Sequence, residues 1–224
     1  MGLAIFDLDG TLLNTIADLG AACNYALEKA GYPTHQAEEY PQLVGNGVNK
    51  LIERALPPKA RTEENVLRVR EWFVPYYNEH NCDLTKPYEG IEEVLRILKD
   101  TGWQLAVASN KYQAATEKIV KHYFGDRFDA VLGERKGCPR KPDPQIVRDI
   151  LKECRIDYTF TQSGKLTSAT EIIYIGDSDV DIQTARNAGL RVIGCSWGFC
   201  KRETLETLNP DYLIDKPLDI LKSV

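Results

Sequence analysis

The chain has 224 residues, 43% of them hydrophobic and 27% charged, with a formal net charge of −5; this is a globular composition, long enough for one large domain or for a core domain plus a small insertion. The acidic balance excludes a nucleic-acid binder built on a basic patch. With no apolar run of about 18 residues and no basic stretch leading into an apolar one at the N-terminus, the expected setting is the cytoplasm, without a membrane partner.

Residues 3–6 (LAIF) form a short apolar run and predict a buried strand. From 14 to 30 the period becomes helical: Ile16, Leu19, Cys23, Leu27 and Ala30 recur at threes and fours, Asn14 or Thr15 can cap the start, and GYP at 31–33 stops it. Residues 34–85 read as helices only, among them NKLIERAL and EENVLRVREWFVPYYNEH, and KPYEG at 86–90 punctuates their end. A βα rhythm follows: helix 91–102, strand 104–109, helix 114–124, strand 128–133, helix 144–154, strand 172–176, helix 181–189, strand 191–196 and a last short strand at 211–214. Strands alternating with helices imply right-handed crossovers and a parallel sheet. The expected class is therefore α/β, with a parallel-sheet core formed by 1–15 and 84–224 and a helical insertion at 16–83 that looks like a cap. Six cysteines, at 23, 82, 138, 154, 195 and 200, are scattered along these elements without C-x-x-C pairing or a histidine cluster, which predicts reduced thiols and argues against zinc.

Chemistry concentrates at the strand ends. DLDGT (7–11) places Asp7 and Asp9 two residues apart, so their side chains face the same way in an extended chain. They stand at the carboxyl edge, where open parallel sheets bind ligands. Clustered carboxylates repel each other unless a cation or a shared proton intervenes. A surface turn explains D-G alone, but the whole D-x-D-G-T string arises by chance in such a chain at odds of roughly one in a thousand. Further along, LAVASNK (105–111) is an apolar strand ending in Ser109, GCPRKPDP (137–144) holds Lys141 between prolines, and YIGDSDVDI (174–182) ends another apolar strand in Asp177, Asp179 and Asp181. Singly, these read as a helix cap, a solvated lysine and a helix N-terminus favoured by its macrodipole. Together they are carboxylates, a hydroxyl and a lysine in the order a parallel sheet would bring them to one edge.

The four segments resemble, in order, the motifs of the haloacid dehalogenase-like hydrolases: D-L-D-G-T, the strand-end Ser109, Lys141 before a proline, and G-D-S-x-x-D at 176–181. The resemblance spans nearly the whole chain and implies a Rossmann-like parallel-sheet core with an inserted α-helical cap. LVGNGVNKLIERAL (43–56), KPYEGIEEVL (86–95) and CSWGF (195–199) are similar to phosphoglycolate phosphatases of that superfamily; one departure is Asn14, where many relatives carry Asp. The implied activity is hydrolysis of a small phosphorylated metabolite, 2-phosphoglycolate first, with Mg²⁺ as cofactor. Asp7 would be the nucleophile and form an aspartyl-phosphate. Asp9 would protonate the leaving alkoxide and then take a proton from water, its backbone carbonyl also reaching the metal. Asp7, Asp177 and that carbonyl make a hard oxygen set suited to Mg²⁺, with Asp181 holding a metal-bound water or orienting Lys141. Lys141 and Ser109 would hold the non-bridging oxygens beside the N–H groups of residues 8 and 9, with Gly10, Thr11 and Asn110 as further substrate-binding positions. Asp179 is expected to be solvated. Gly45 and Gly47 flank Asn46; either a tight turn or the close approach of a ligand explains them, and all three are substrate-binding candidates. A phosphomutase, a dehalogenase or a phosphate-sensing protein without turnover would share this fold, and a monomer or a homodimer is expected.

Overall fold

A computed structural model describes residues 2–161 and 166–224. Six strands make the main sheet: β1 Gly2–Phe6, β2 Gln104–Tyr112, β3 Ala130–Glu134, β4 Glu171–Gly176, β5 Arg191–Cys195 and β6 Tyr212–Ile214. Their order is β6-β5-β4-β1-β2-β3, and every neighbouring pair is parallel. Strand order reverses between β1 and β4, so the crevice for a ligand opens at their carboxyl ends. β1 is buried throughout and β4 everywhere but its first residue, which is why GLAIF and EIIYIG run apolar without alternating: both faces are covered.

Between β1 and β2 the chain enters a helical insertion containing α1 (Ile16–Lys29), α2 (Val48–Ala55) and α3 (Glu63–His80). Two compact units result, Asn14–Lys86 on one side of the division and the segments up to Leu13 and from Pro87 on the other. Within the helical unit α1 packs on α3, with Leu19, Cys23 and Ala26 from α1 and Val69, Phe73 and Tyr77 from α3 buried at helical spacing. The buried Asp18 carboxylate accepts the N–H groups of Leu84 and Thr85 at 2.9 and 2.8 Å, tying the end of this unit back to its first helix.

The second unit continues with α4 (Ile91–Asp100), α5 (Gln113–Phe124), α6 (Gln145–Glu153), α7 (Asp179–Asn187) and α8 (Arg202–Leu208). α4 and α6 each bury four apolar residues at threes and fours, and every Ile or Leu fully buried this way contributes about 1.5–3 kcal/mol.

Two expectations need correcting, and one element was not foreseen. β2 does not stop at Ser109: its pairing with β3 is interrupted between Ala108 and Tyr112 and resumes at Tyr112, opposite Glu134, so Ser109 lies inside an irregularity of the strand. α7 starts at Asp179 rather than 181, because Ser178 caps it; its hydroxyl accepts the Asp181 N–H while the Asp181 carboxylate accepts the Ser178 N–H. α8 was not expected, since it buries only Leu205 and lacks an apolar period.

Candidate active site

β1 ends one residue before Asp7, whose N–H extends the ladder to the Ile175 carbonyl at 2.8 Å. Asp177 follows β4 directly, and Asp181 sits in the first turn of α7. The topology thus delivers three carboxylates to the switch point, where one oxygen from each lies within 4.8 Å of the others; all three residues are buried. Lys141 reaches the same place from the loop before α6. Its buried ammonium donates to Asp7 Oδ1 at 2.9 Å, Asp181 Oδ1 at 2.7 Å, the Ala108 carbonyl at 2.8 Å and the Tyr174 hydroxyl at 3.1 Å.

Electrostatics follow from burying three acids around one base. Burial pushes the Asp7 carboxyl well above the ordinary carboxylate range; Asp181 adds to the shift and Lys141 opposes it. Asp177, with burial and then Asp181 as its main causes, is pushed up to about 7 against the pull of the Phe199 N–H and the Thr11 hydroxyl. Burial also works against the Lys141 ammonium, but Asp181 and Asp7 outweigh it and hold its value above that of an ordinary lysine. The cluster therefore holds more negative charge than its lysine neutralises, and protons take up the difference. A divalent cation could do so instead, and three carboxylates are hard donors.

The other candidates divide by task. The Asp9 carboxylate is not among the three that converge; it pairs with the buried Lys111, Oδ1 to Nζ 3.0 Å. Ser109 is buried, and its Oγ accepts the Lys111 N–H at 3.1 Å, an arrangement that leaves its own hydrogen to be donated. Asn110 uses both ends of its amide on the Lys141 main chain, accepting its N–H at 2.9 Å and donating to its carbonyl at 3.1 Å. The buried Thr11 donates to Asp177 Oδ1 at 2.8 Å. Gly10 has a φ of +93° and lies so close to Asp177 that a Cβ would collide with the carboxylate. Asp179 is exposed. Gly45, Asn46 and Gly47 lie in the helical unit with φ values of +108°, +63° and +83°, and the Arg54 guanidinium donates to the carbonyls of Leu43, Val44 and Gly45.

Sequence reasoning did not single out Lys111 or Tyr174, and it marked CSWGF (195–199), in the loop after β5, only as a family resemblance without giving it a role. The Phe199 N–H donates to Asp177 Oδ2 at 2.8 Å, and the Trp197 indole N–H donates to the Thr11 carbonyl at 3.1 Å. Gly198 between them has no room for a Cβ, which would collide with the Asp177 side chain. Gly198→Ala should therefore displace either the loop or Asp177, costing about 1–3 kcal/mol and lowering Tm by several degrees. Thermal unfolding checks this, and an unchanged Tm would mean that the loop does not fix Asp177. The signal for Lys111 was visible: a charged residue in a strand that starts as an apolar run needs a partner if it is buried.

A family model described as haloacid dehalogenase-like hydrolase matches residues 4–195. The phosphoglycolate phosphatase of Vibrio parahaemolyticus is 30% identical over 228 residues, which cover 99% of this chain and 95% of that protein. That of Cereibacter sphaeroides is 36% identical over 191 residues, 84% of this chain and 81% of its own length. Among solved structures, that of a predicted phosphoglycolate phosphatase from Haemophilus somnus superposes with a TM-score of 0.85 at 29% identity, covering 99% of this chain and 97% of the other. With its buried carboxylates and lysine at the switch point of a parallel sheet, this chain belongs to the haloacid dehalogenase-like hydrolases and is similar to their phosphoglycolate phosphatases.

Proposed function

We propose that the chain is a Mg²⁺-dependent phosphatase that hydrolyses a small phosphate monoester through an aspartyl-phosphate on Asp7, with 2-phosphoglycolate as its substrate. The observation that carries this reading is the convergence of Asp7, Asp177 and Asp181 at the sheet's switch point, with Asp7 and Asp181 sharing one buried lysine. An all-oxygen set with surplus negative charge fits Mg²⁺. Asp7, Asp177 and the Asp9 carbonyl would hold it, with Asp181 acting through water or through Lys141. Bound there, the ion would neutralise the carboxylates and draw charge from a phosphoryl oxygen.

The residues divide the reaction between them. An Asp7 oxygen attacks phosphorus in line with the ester oxygen. Asp9 gives that oxygen a proton as it leaves, then takes one from the water that cleaves the aspartyl-phosphate. Lys141 balances Asp7 and Asp181, and the Ser109 hydroxyl donates to a non-bridging oxygen. Gly10 and Thr11 keep Asp177 in place. In the helical unit, Gly45, Asn46, Gly47, Asn49 and Lys50 form a donor-rich stretch suited to a compact acidic leaving group, and the similar relatives named phosphoglycolate phosphatases favour that choice. The reading places the enzyme in the cytoplasm, as a monomer or homodimer with no nucleic-acid or membrane partner; among the described residues no helix is long and apolar enough to cross a membrane.

The test is kcat/KM over phosphoglycolate, hexose phosphates, nucleoside monophosphates, pyridoxal phosphate and pyrophosphate, with and without Mg²⁺. Phosphoglycolate should lead. Another member ahead by a hundredfold, about 2.7 kcal/mol, overturns the substrate, and full phosphate release after chelation overturns the metal.

Metal binding should also be coupled to protons. In the folded, metal-free protein Asp177 titrates at about 7 rather than the ordinary 3.8. Between those values the folded state binds more protons than the unfolded one, so this group's stability is present at low pH and is lost as pH rises through 7. Mg²⁺ competes with those protons, so its stabilising effect on Tm should be several degrees at pH 8 and vanish near pH 5. Thermal unfolding at both pH values, with and without Mg²⁺, checks it; an equal shift at both would contradict it.

A further inference from the structure

We infer that Lys111 is a positioning residue for leaving-group protonation, acting through Asp9; the inference rests on the phosphatase reading above. Lys111 lies on β2 with its side chain 4% exposed, and its ammonium stands 3.0 Å from Asp9 Oδ1. The Asp9 side chain is itself 17% exposed, so water could solvate that carboxylate without help from a buried lysine. A buried pair of this kind is weak support for stability, since apolar replacements of similar volume often do as well. Its value here is geometric.

The backbone that launches Lys111 is held on both sides. Its N–H donates to Ser109 Oγ and its carbonyl accepts from Thr116 Oγ1, both at 3.1 Å. A Cβ on Gly133 of the neighbouring strand would collide with that carbonyl. These contacts fall within the irregular stretch of β2 between Ala108 and Tyr112, and irregularities of this kind re-aim side chains. Three consecutive residues thus serve three parts of one site: the Ser109 hydroxyl, the Asn110 amide on Lys141, and the Lys111 ammonium on Asp9. Holding Oδ1 fixes the plane of the Asp9 carboxyl group. In the first half-reaction an Asp7 oxygen bonds to phosphorus, and the phosphorus–ester bond breaks with its electron pair on the ester oxygen. The proton from the Asp9 carboxyl group moves to that oxygen, leaving Asp9 as the carboxylate. A carboxyl group free to rotate would deliver that proton less often.

The experiment compares 2-phosphoglycolate, whose alkoxide leaves only with a proton, with p-nitrophenyl phosphate, whose phenolate leaves without one. Steady-state kinetics would be measured for the wild type, Lys111→Met, Lys111→Gln, Lys111→Arg and Asp9→Asn. Positioned general acids contribute about 100- to 10,000-fold. On that scale Lys111→Met and Lys111→Gln should lower kcat/KM, which reports only the steps up to ester cleavage and not the shared hydrolysis of the aspartyl-phosphate, by about 30-fold or more on phosphoglycolate and by less than about threefold on p-nitrophenyl phosphate. Lys111→Arg should restore most of the loss. Equal losses on both substrates, or no loss on phosphoglycolate, would assign Lys111 a purely structural role and overturn the inference. Asp9→Asn separates this from the underlying reading: if it shows no preferential loss on phosphoglycolate, Asp9 is not the proton donor and the phosphatase mechanism itself is wrong.

Discussion

Asp7→Asn should abolish turnover and leave the protein folded. An amide oxygen is a poor nucleophile and a poor ligand for a hard cation, so kcat should fall by more than about a hundredfold, a barrier increase above about 2.7 kcal/mol. The structure adds a second expectation. Burial and Asp181 already push the Asp7 carboxyl well above its ordinary range, so removing its charge relieves a crowded cluster. Asn can still accept a hydrogen bond from Lys141 through its side-chain oxygen. In metal-free buffer near pH 8 the variant should therefore unfold no lower than the wild type, and activity and stability should move apart, as they do where a site is assembled at the expense of stability. Residual kcat above a hundredth of wild type would remove Asp7 as the nucleophile. A large fall in Tm would mean that the carboxylate holds the fold.

Lys141→Ala should be the most damaging single lysine substitution. It removes the ammonium that Asp7 and Asp181 share and leaves the Ala108 carbonyl without its donor. Breaking a buried pair on one side costs about 3–5 kcal/mol, and here the cost depends on pH in a definite direction. With the lysine gone, the Asp7 carboxyl is pushed higher still, so stability is retained at low pH and lost as pH rises. The Tm deficit should be large at pH 8, smaller at pH 5, and partly repaired by Mg²⁺. The loss in kcat should exceed about a hundredfold. A variant with wild-type kcat, or a deficit independent of pH, would show that Lys141 does not balance these charges.

The meeting of Asp7, Lys141, Asp177 and Asp181 was legible from the segments taken together and from their resemblance to one family's motifs, since each alone has a bland account. β1 and β4 are buried on both faces and therefore apolar, so charges at their ends stand out, and the alternation of strands and helices implies which edge they share. What lay beyond reading were contacts between distant segments. Thr11 and Asp177 are 166 positions apart, and Trp197 and Thr11 are 186 apart; no period in the sequence encodes either bond. Asp7 and Asp9 were separable only in three dimensions, since the i, i+2 spacing that suggested a shared destination for them takes no account of Lys111 opposite the second. β2 ran past Ser109 because its neighbour resumes pairing at Glu134, and α8 escaped notice because one buried leucine leaves no stripe.

Synthesis runs from the N-terminus, and this strand order makes the molecule late to complete. Asp7 emerges 170 positions before Asp177, and β4 and the loop that fixes Asp177 emerge correspondingly late. Until they emerge, β1 can pair with β2 on one side but has an open edge on the other, toward the place of β4. An apolar strand with an open edge is a template for unwanted pairing, and chains with such long-range partners fold slowly. A product cut short before β4 would thus carry Asp7 without Asp177 or its clamp, together with a sticky central strand. Such fragments would burden the cell through aggregation, not through stray hydrolysis.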